Sequence, residues 1–259
     1  MPGFLFHDII FGPVRSRRLG LSLGINLLPT HSKYCSFNCI YCECGWTPEN
    51  MTIVPELPST ELVSQYLEYR LKELVEENHL PDVLTYAGNG EPTMHPEFAA
   101  IVDETLALRD KLMPGVRIAV LSNASMIHEP SVFNALLKID YNIQKLDAGF
   151  EKNFRLINNP VLPVTFENII ENLKRFNRKV IIQSMFLRGT YNGEIIDNTT
   201  EAEVNEWLKH LEIIHPSLVM LYPISRATPV HNLEKIGIFD LEKIAEKVRS
   251  LGIEAKVYS

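Results

Sequence analysis

Residues 35–42 read Cys-Ser-Phe-Asn-Cys-Ile-Tyr-Cys, a C-x3-C-x2-C arrangement that comes shortly after a predicted strand. The chain has 259 residues and four cysteines, and the fourth, Cys44, lies two residues beyond this stretch. A disulfide framework would spread its cysteines along the chain to close long loops. Cysteines clustered in one short segment instead indicate a metal or redox site. Thiolates of Cys35, Cys39 and Cys42 can bind three irons of a [4Fe–4S] cluster and leave the fourth iron open.

A structural zinc site that includes Cys44 is the alternative interpretation of these cysteines. Structural zinc sites usually combine two ligand pairs from separate segments of the chain. The segment from Cys42 to Cys44 is too short for an ordinary second pair, and no Cys/His pair recurs later. His31, four residues before Cys35, is a conceivable further ligand. The spacing therefore favours an iron–sulfur cluster over zinc.

Around this stretch the chain alternates short apolar runs with segments of helical periodicity. The predicted strands are Ser22–Leu27, Val83–Ala87, Val116–Leu121, Tyr141–Leu146, Val180–Phe186, Leu218–Tyr222 and Ile253–Val257. The predicted helices are Thr60–Glu77 after an N-cap at Ser59, Pro96–Leu112, Pro130–Lys138, Thr165–Phe176, Glu201–Ile214 and Asp240–Leu251. Repeated strand–helix alternation with continuous apolar strands indicates parallel strands covered by helices.

The fold class that this pattern predicts is α/β, with an incomplete barrel of about six βα units, a partial (β/α)6 barrel. A doubly wound open sheet is the alternative, and either fold places ligands at the carboxyl ends of the strands. No composition shift marks a second domain, so residues 1–259 are predicted to form one domain. Within it, residues 1–34 hold the N-terminal segment with the first strand, and residues 35–44 form the cluster loop.

Composition and charge limit the possible locations and partners. The net charge of −7 argues against broad, non-specific nucleic-acid binding, which needs a basic face. The chain has no apolar run of about 18 residues, and its first residues show no basic region followed by a long apolar one. We therefore expect no membrane span, no secretory signal and a cytoplasmic location. The chain is acidic as a whole, but its N-terminal segment is basic, and there Arg15, Arg17 and Arg18 could hold a phosphate or carboxylate.

The cysteine stretch, with Tyr41 before its last cysteine, resembles the signature of radical S-adenosylmethionine enzymes. The resemblance implies a partial (β/α)6 barrel, a [4Fe–4S] cluster on Cys35, Cys39 and Cys42, and S-adenosylmethionine at the fourth iron. In that family, one electron cleaves the cofactor to a 5′-deoxyadenosyl radical that abstracts a hydrogen atom from substrate. The resemblance also implies an external electron donor such as flavodoxin or ferredoxin.

Together with residues 11–20, the cysteine stretch resembles a subgroup of these radical enzymes that is related to the tRNA wyosine-synthesis enzymes. That resemblance implies a nucleobase or tRNA as the substrate. The acidic charge of the chain counts against tRNA and leaves a small anionic metabolite as the alternative. A function of a different class is a non-catalytic iron–sulfur electron carrier or redox sensor, whose cluster would use all four cysteines.

Residues 88–93, Gly-Asn-Gly-Glu-Pro-Thr, follow the second predicted strand and resemble the G-G-E motif of the family. Asn89 stands where the first of those glycines is usual, whereas Gly90 and Glu91 match and are expected at the amino group of the cofactor. The other expected contacts are Tyr41 near adenine, Ser122 and Asn123 at the ribose, and Gln183 at the ribose or carboxylate. The structural alternatives are a plain βα turn at residues 88–93 and a helix N-cap at Ser122-Asn123.

Polar residues also end two later predicted strands, where barrel enzymes carry their active-site groups. Lys145, Asp147 and Arg188 are therefore candidates for positioning substrate. The alternative is that Lys145 and Asp147 pair across the barrel mouth while Arg188 is solvated.

Overall fold

The structure, a computed structural model, describes residues 3–48 and 55–259. Its strands are β1 Ile10–Ser16, β2 Gly20–Ile25, β3 Val83–Tyr86, β4 Arg117–Ser122, β5 Tyr141–Lys145, β6 Ile181–Tyr191, β7 Glu194–Asp197, β8 Leu218–Pro223, β9 Leu233–Lys235 and β10 Ala255–Val257. Its helices are α1 Thr60–Glu76, α2 Phe98–Leu112, α3 Pro130–Leu136, α4 Glu151–Asn158, α5 Phe166–Lys174, α6 Glu201–Ile214 and α7 Ile238–Ser250. Among these residues no helix combines the length and apolar character needed to cross a membrane.

The central sheet has the parallel order β2-β3-β4-β5-β6-β8-β10, with β1 antiparallel at one edge. Six strand–helix units are followed by the last strand, β10. Within the described residues, β1 and β10 do not pair with each other, so the barrel is open. The α/β prediction and the partial barrel are therefore confirmed.

Local sequence explains where the first helix begins and which face it buries. The Ser59 side chain accepts a hydrogen bond from Leu62 N at 3.3 Å, as expected of an N-cap. The buried face of α1 consists of Val63, Leu67, Leu71 and Leu74, at the spacing of one helix face.

The strand β1 is a difference from the sequence prediction, which treated this segment as loop. It contains Pro13 and a register shift between Phe11 and Val14. An edge strand tolerates proline because the missing N–H removes no ladder hydrogen bond. A Cβ on Gly24 would lie only 2.1 Å from the Phe11 ring. Glycine at this position therefore leaves room for the ring and allows the hairpin to form.

A second difference lies beyond the barrel mouth, where β6 continues past its predicted end and pairs antiparallel with β7 and β9. The turn between β6 and β7 is Asn192-Gly193, and both residues have positive φ, 51° and 78°. This dipeptide is a strong hairpin signal, so the sequence contained the information for the extension. The helix α4 was likewise not predicted.

Strands β5, β6 and β8 build the barrel interior in two layers. The lower, apolar layer consists of Ile143, Ile181 and Met220, and the residues two positions later are Lys145, Gln183 and Tyr222. Side chains two residues apart on a strand share a face, so the later residues form a polar layer above the apolar one. Leu19, in the turn between β1 and β2, packs against the apolar layer.

Candidate functional site

A cavity of about 290 Å³ opens between the cluster loop and the carboxyl ends of the strands. It is lined by Cys35, Cys39, Cys42, Cys44, Tyr41, Gly90, Glu91, Ser122, Asn123, Gln183 and Lys145, together with Arg18, Lys33 and Tyr222. The fold thus brings the predicted cluster ligands and the predicted cofactor contacts to one cavity. Asp147 and Arg188 are not among its lining residues.

Backbone pairing holds the beginning of the cluster loop against the glycine-rich turn. Tyr34 N donates to Asn89 O at 2.9 Å, and Glu91 N donates to Tyr34 O at 3.1 Å. Between them, Gly90 has φ +145°, and a Cβ there would lie 1.9 Å from Tyr34 O. Only glycine permits this approach, so Gly90 is required for the loop to dock.

Asn89, the departure from the G-G-E pattern, has a structural role. Its fully buried side chain accepts from Phe6 N at 2.8 Å. It donates to Phe6 O at 2.8 Å and to Pro29 O at 2.7 Å. The amide therefore ties the N-terminal segment and the loop before the cysteines to the end of β3.

Two of the predicted cluster cysteines are buried and receive N–H groups from separate elements. Asn123 Nδ2 lies 3.5 Å from Cys35 Sγ, and Asn158 Nδ2 lies 3.5 Å from Cys39 Sγ. Burial raises the pKa of the Cys39 thiol and raises the pKa of Cys35 to about 12. Hydrogen bonds to sulfur are among the features that tune iron–sulfur clusters.

The side chains of Cys42 and Cys44 interact, and each shifts the pKa of the other. This interaction lowers the pKa of Cys42 to about 5, an effect that burial opposes and Lys33 supports. It raises the pKa of Cys44, whose Sγ also lies 3.5 Å from Gly88 O.

The sulfur atoms of these cysteines are the donor atoms that a [4Fe–4S] cluster requires. Cys35, Cys39 and Cys42 present thiol ligands to the same cavity, and thiolates are the ligands of such clusters. Within the described ranges, no group of three or more His, Cys, Asp or Glu side chains is placed to hold a single metal ion.

Lys33 is a site residue that the sequence interpretation missed. It is 4% exposed, and its Nζ donates to Gly45 O at 3.0 Å. Burial alone would lower the pKa of Lys33, but the cysteines nearby, Cys42 and Cys35 foremost, raise it. Lysine side chains are almost never fully buried without a partner, so the sequence alone predicts that Lys33 is exposed. Its burial beside the cysteines could therefore not be predicted.

Tyr41, Lys145 and Asp147 form a buried network beside Cys39. Lys145 Nζ lies 2.5 Å from the Tyr41 hydroxyl and 3.4 Å from Asp147 Oδ2, and the hydroxyl donates to Asp147. Asp147 also accepts from Met185 N at 2.8 Å. Burial would lower the pKa of Lys145, but Asp147 raises it above its ordinary value. Lys145 and Asp147 thus pair as in the structural alternative, while Lys145 still faces the cavity.

The Glu91 carboxylate joins the ends of β3 and β4. Its oxygens accept from Thr93 N at 3.1 Å, Thr93 Oγ1 at 2.5 Å and Asn123 N at 2.5 Å. Burial raises the pKa of Glu91, although these hydrogen bonds oppose the shift. A carboxylate accepts about four hydrogen bonds, so Glu91 retains capacity for one more donor at the cavity.

The structure separates the candidate arginines. Arg188 lies on the hairpin extension of β6, where its guanidinium contacts Thr199 Oγ1 at 3.0 Å and Asp197 at 3.7 Å. The expectation that Arg188 lies at the strand-end site is therefore not met, because β6 runs past the mouth. Arg18 instead enters the cavity and donates to Gln183 Oε1 at 2.6 Å.

A second cavity, of about 510 Å³, adjoins the first and shares Cys42 and Glu43 with it. Its walls include Phe4, Arg15 and Arg226, and the Arg226 guanidinium contacts the Glu43 carboxylate. The segment around Arg15 thus reaches the neighbourhood of the cluster loop.

Comparison with known proteins gives one family and several relatives. The family model described as "Radical SAM superfamily" matches residues 30–211. A protein of Brachyspira hyodysenteriae named GTPase Obg is 30% identical over 238 residues, which cover 90% of this chain and 32% of that protein. A UPF0026 protein of Methanocaldococcus jannaschii is 34% identical over 217 residues, which cover 81% of this chain and 61% of that protein. The chain thus spans less than two thirds of the length of both relatives.

Solved structures share the fold at low sequence identity. A radical SAM methyltransferase from Sphaerobacter thermophilus has a TM-score of 0.65 at 14% identity, over 91% of this chain and 65% of that one. TYW1 with a lysine-pyruvate adduct bound has a TM-score of 0.61 at 16% identity, over 88% of this chain and 73% of that one. These similarities support the partial barrel.

Proposed function

The chain belongs to the radical SAM superfamily, whose members are enzymes that use a [4Fe–4S] cluster and S-adenosylmethionine, and we propose that the cavity beside residues 35–44 binds both. When bound, the reduced cluster would pass one electron to S-adenosylmethionine, which would give methionine and a 5′-deoxyadenosyl radical able to abstract a hydrogen atom from substrate. The observation that carries the proposal is the convergence of three cysteines and four strand ends on one cavity.

The cysteines and two amides form the cluster end of the proposed site. Cys35, Cys39 and Cys42 hold three irons, and Asn123 and Asn158 orient the first two sulfurs through their N–H groups. These donors also stabilise negative charge on the sulfurs, which favours the thiolate form that iron requires.

The glycine-rich turn and the next strand end form the proposed cofactor wall. Gly90 lets the backbone approach the ligand, and Glu91 accepts from the amino group of the cofactor with its remaining capacity. We assign Tyr41 to the adenine side and Ser122 and Asn123 to the ribose, whereas Gln183, whose Oε1 accepts from Arg18, is left to the opposite wall of the cavity. The pair of Lys145 and Asp147 then positions substrate or cofactor charge through the Lys145 ammonium.

The proposed substrate is an organic molecule with an anionic group, either a small metabolite or a nucleobase-containing molecule. Support for an anion comes from three cationic side chains that line the cavity, Arg18, Lys33 and Lys145. An external protein such as flavodoxin or ferredoxin supplies the electron in this proposal.

The test is anaerobic reconstitution with iron and sulfide, followed by S-adenosylmethionine, dithionite and an assay for 5′-deoxyadenosine. We expect the product to form in the parent protein and to disappear in Cys39→Ala. Cys44→Ser separates the proposal from an electron carrier or sensor, because only a fully ligated cluster needs a fourth thiolate. A cluster that requires Cys44 and leaves S-adenosylmethionine intact would contradict the enzyme proposal.

A further inference from the structure

The three cations of the cavity differ in how their charge is balanced. Lys145 lies 3.4 Å from the carboxylate of Asp147. Lys33 faces the cysteines, and its raised pKa follows from their negative charge as thiolates. For Arg18, the described residues offer a neutral amide oxygen from Gln183 and an aromatic ring, but no carboxylate within ion-pair distance. A partly buried cation without a counterion attracts an anion to its cavity.

The position of Arg18 is fixed from two sides before any ligand binds. Leu19, the next residue, packs into the apolar layer on β5, β6 and β8 and anchors the turn inside the barrel. The Arg18 guanidinium lies 5.0 Å from the centre of the Tyr222 ring, and one nitrogen donates to Gln183. Its other N–H groups are left for a ligand, and a guanidinium held in plane can bind two oxygens of one carboxylate or phosphate.

Arg18 lies on the wall of the cavity opposite the proposed cofactor contacts. Gly90 and Glu91 follow β3, and Ser122 ends β4, whereas Gln183 is on β6 and Tyr222 on β8. In the sheet order, β5 separates these two pairs of strands. A cofactor bound through Glu91 therefore leaves the Arg18 side for the reacting partner.

We propose that Arg18, supported by Gln183 and Tyr222, is a subsite for a carboxylate or phosphate group of a small-molecule substrate. The subsite rests on the proposed function, because it assigns the opposite wall to the cofactor. A small anion suits the site better than a nucleic acid, since the cavity measures about 290 Å³ and the chain carries a net charge of −7.

The test uses the reconstituted holoenzyme, saturated with S-adenosylmethionine and without reductant. Radiolabelled inorganic phosphate is the probe, measured by equilibrium dialysis at constant ionic strength. We expect the parent protein to bind one phosphate per chain and Arg18→Gln to bind it at least tenfold more weakly. Arg18→Lys should have an intermediate affinity, because lysine keeps the positive charge but not the paired N–H donors of the guanidinium. The matched control is Arg17→Gln, since Arg17 contacts Ser225 Oγ at 2.7 Å, does not line the cavity, and should leave phosphate affinity unchanged.

Each contrary result identifies a different failure. Unchanged phosphate binding in a folded Arg18→Gln or Arg18→Lys protein overturns the subsite. Loss of S-adenosylmethionine affinity in Arg18→Gln, with no phosphate bound to the cofactor-loaded parent, assigns Arg18 to the carboxylate of the cofactor and also overturns it. Displacement of phosphate by tRNA but not by malonate would overturn the small-molecule assignment. Failure of the parent protein to form a cluster or 5′-deoxyadenosine would contradict the proposed function itself.

Discussion

Lys33 is a buried cation whose charge interacts with all four cysteines. Replacing it in Lys33→Met removes a cation from beside the thiolates while keeping an unbranched apolar side chain. Adding an electron to a cluster is easier near a positive charge, so we expect the midpoint potential to become more negative. An EPR-monitored redox titration measures this shift, and Lys174→Met, on the exposed face of α5, is the control. An unchanged potential at full iron content would contradict the prediction.

Glu91 supports a second prediction at this scale, because its carboxylate serves both the fold and the proposed cofactor contact. Glu91→Ala leaves buried donors on Thr93 and Asn123 unsatisfied, at about 1–3 kcal/mol each, and removes the acceptor for an amino group. We expect at least a tenfold loss of S-adenosylmethionine affinity by calorimetric titration, with iron content retained. Glu91→Gln keeps an acceptor without the charge, so its affinity for S-adenosylmethionine should lie between those of the parent protein and Glu91→Ala. Equal affinities in all three proteins would rule out the contact.

Single residues of the site differed in how well the sequence predicted them. The cysteines were predictable because their ligand spacing is local and lies within one loop. Asn158 was not predicted, because it lies on an unpredicted helix. Arg18 was a sequence candidate together with Arg15 and Arg17, but its contact with Gln183, across 165 positions of sequence, was not predicted. Such contacts depend on the closure of the fold, which no local pattern contains.

At the level of elements, agreement was good where periodicity is strong and poor where a segment is short or at an edge. The parallel strands were recognised because burial on both faces makes them continuously apolar. The edge strand β1 was missed because Pro13 and Arg15 are typical of a loop and interrupt its apolar pattern. The hairpin of β6 and β7 was missed although Asn192-Gly193 specifies its turn.

The docking of the cluster loop on the glycine-rich turn gives a prediction at the scale of elements. Gly90→Ala places a Cβ within 1.9 Å of Tyr34 O, so we expect the loop to shift and the iron content after reconstitution to fall severalfold. The matched control is Gly115→Ala, because Gly115 also has positive φ, +98°, but its Cβ would meet nothing within 4 Å. Gly115→Ala should lose only the backbone strain energy of about 1–3 kcal/mol in stability and keep its iron. Full iron content in Gly90→Ala would show that the loop does not need this contact.

At the scale of the whole molecule, the open barrel raises the question of what holds its two edges together. Strand β1 and strand β10 do not pair within the described residues, yet the turn between β1 and β2 reaches the interior surfaces of β5, β6 and β8. Leu19 makes this contact by packing with the layer that contains Ile143, Ile181 and Met220. The turn between β1 and β2 is thus held against β5, β6 and β8 by side chains across the interior instead of by a backbone ladder.

This closure predicts that Leu19 matters for global stability although it belongs to a turn. Leu19→Ala removes apolar contacts from a partly buried site, so we expect a loss of about 1–3 kcal/mol in the free energy of unfolding, below the cost at a fully buried leucine. Urea unfolding of the apo-protein measures it, and Leu62→Ala, at a leucine that is 38% exposed on α1, is the control with a smaller expected effect. Hydrogen exchange should also quicken in β8, across the barrel from the substitution, because the apolar layer that contains Met220 loses one of its contacts. Equal stabilities of the two variants, with unchanged exchange in β8, would mean that the edges of the barrel are held without this turn.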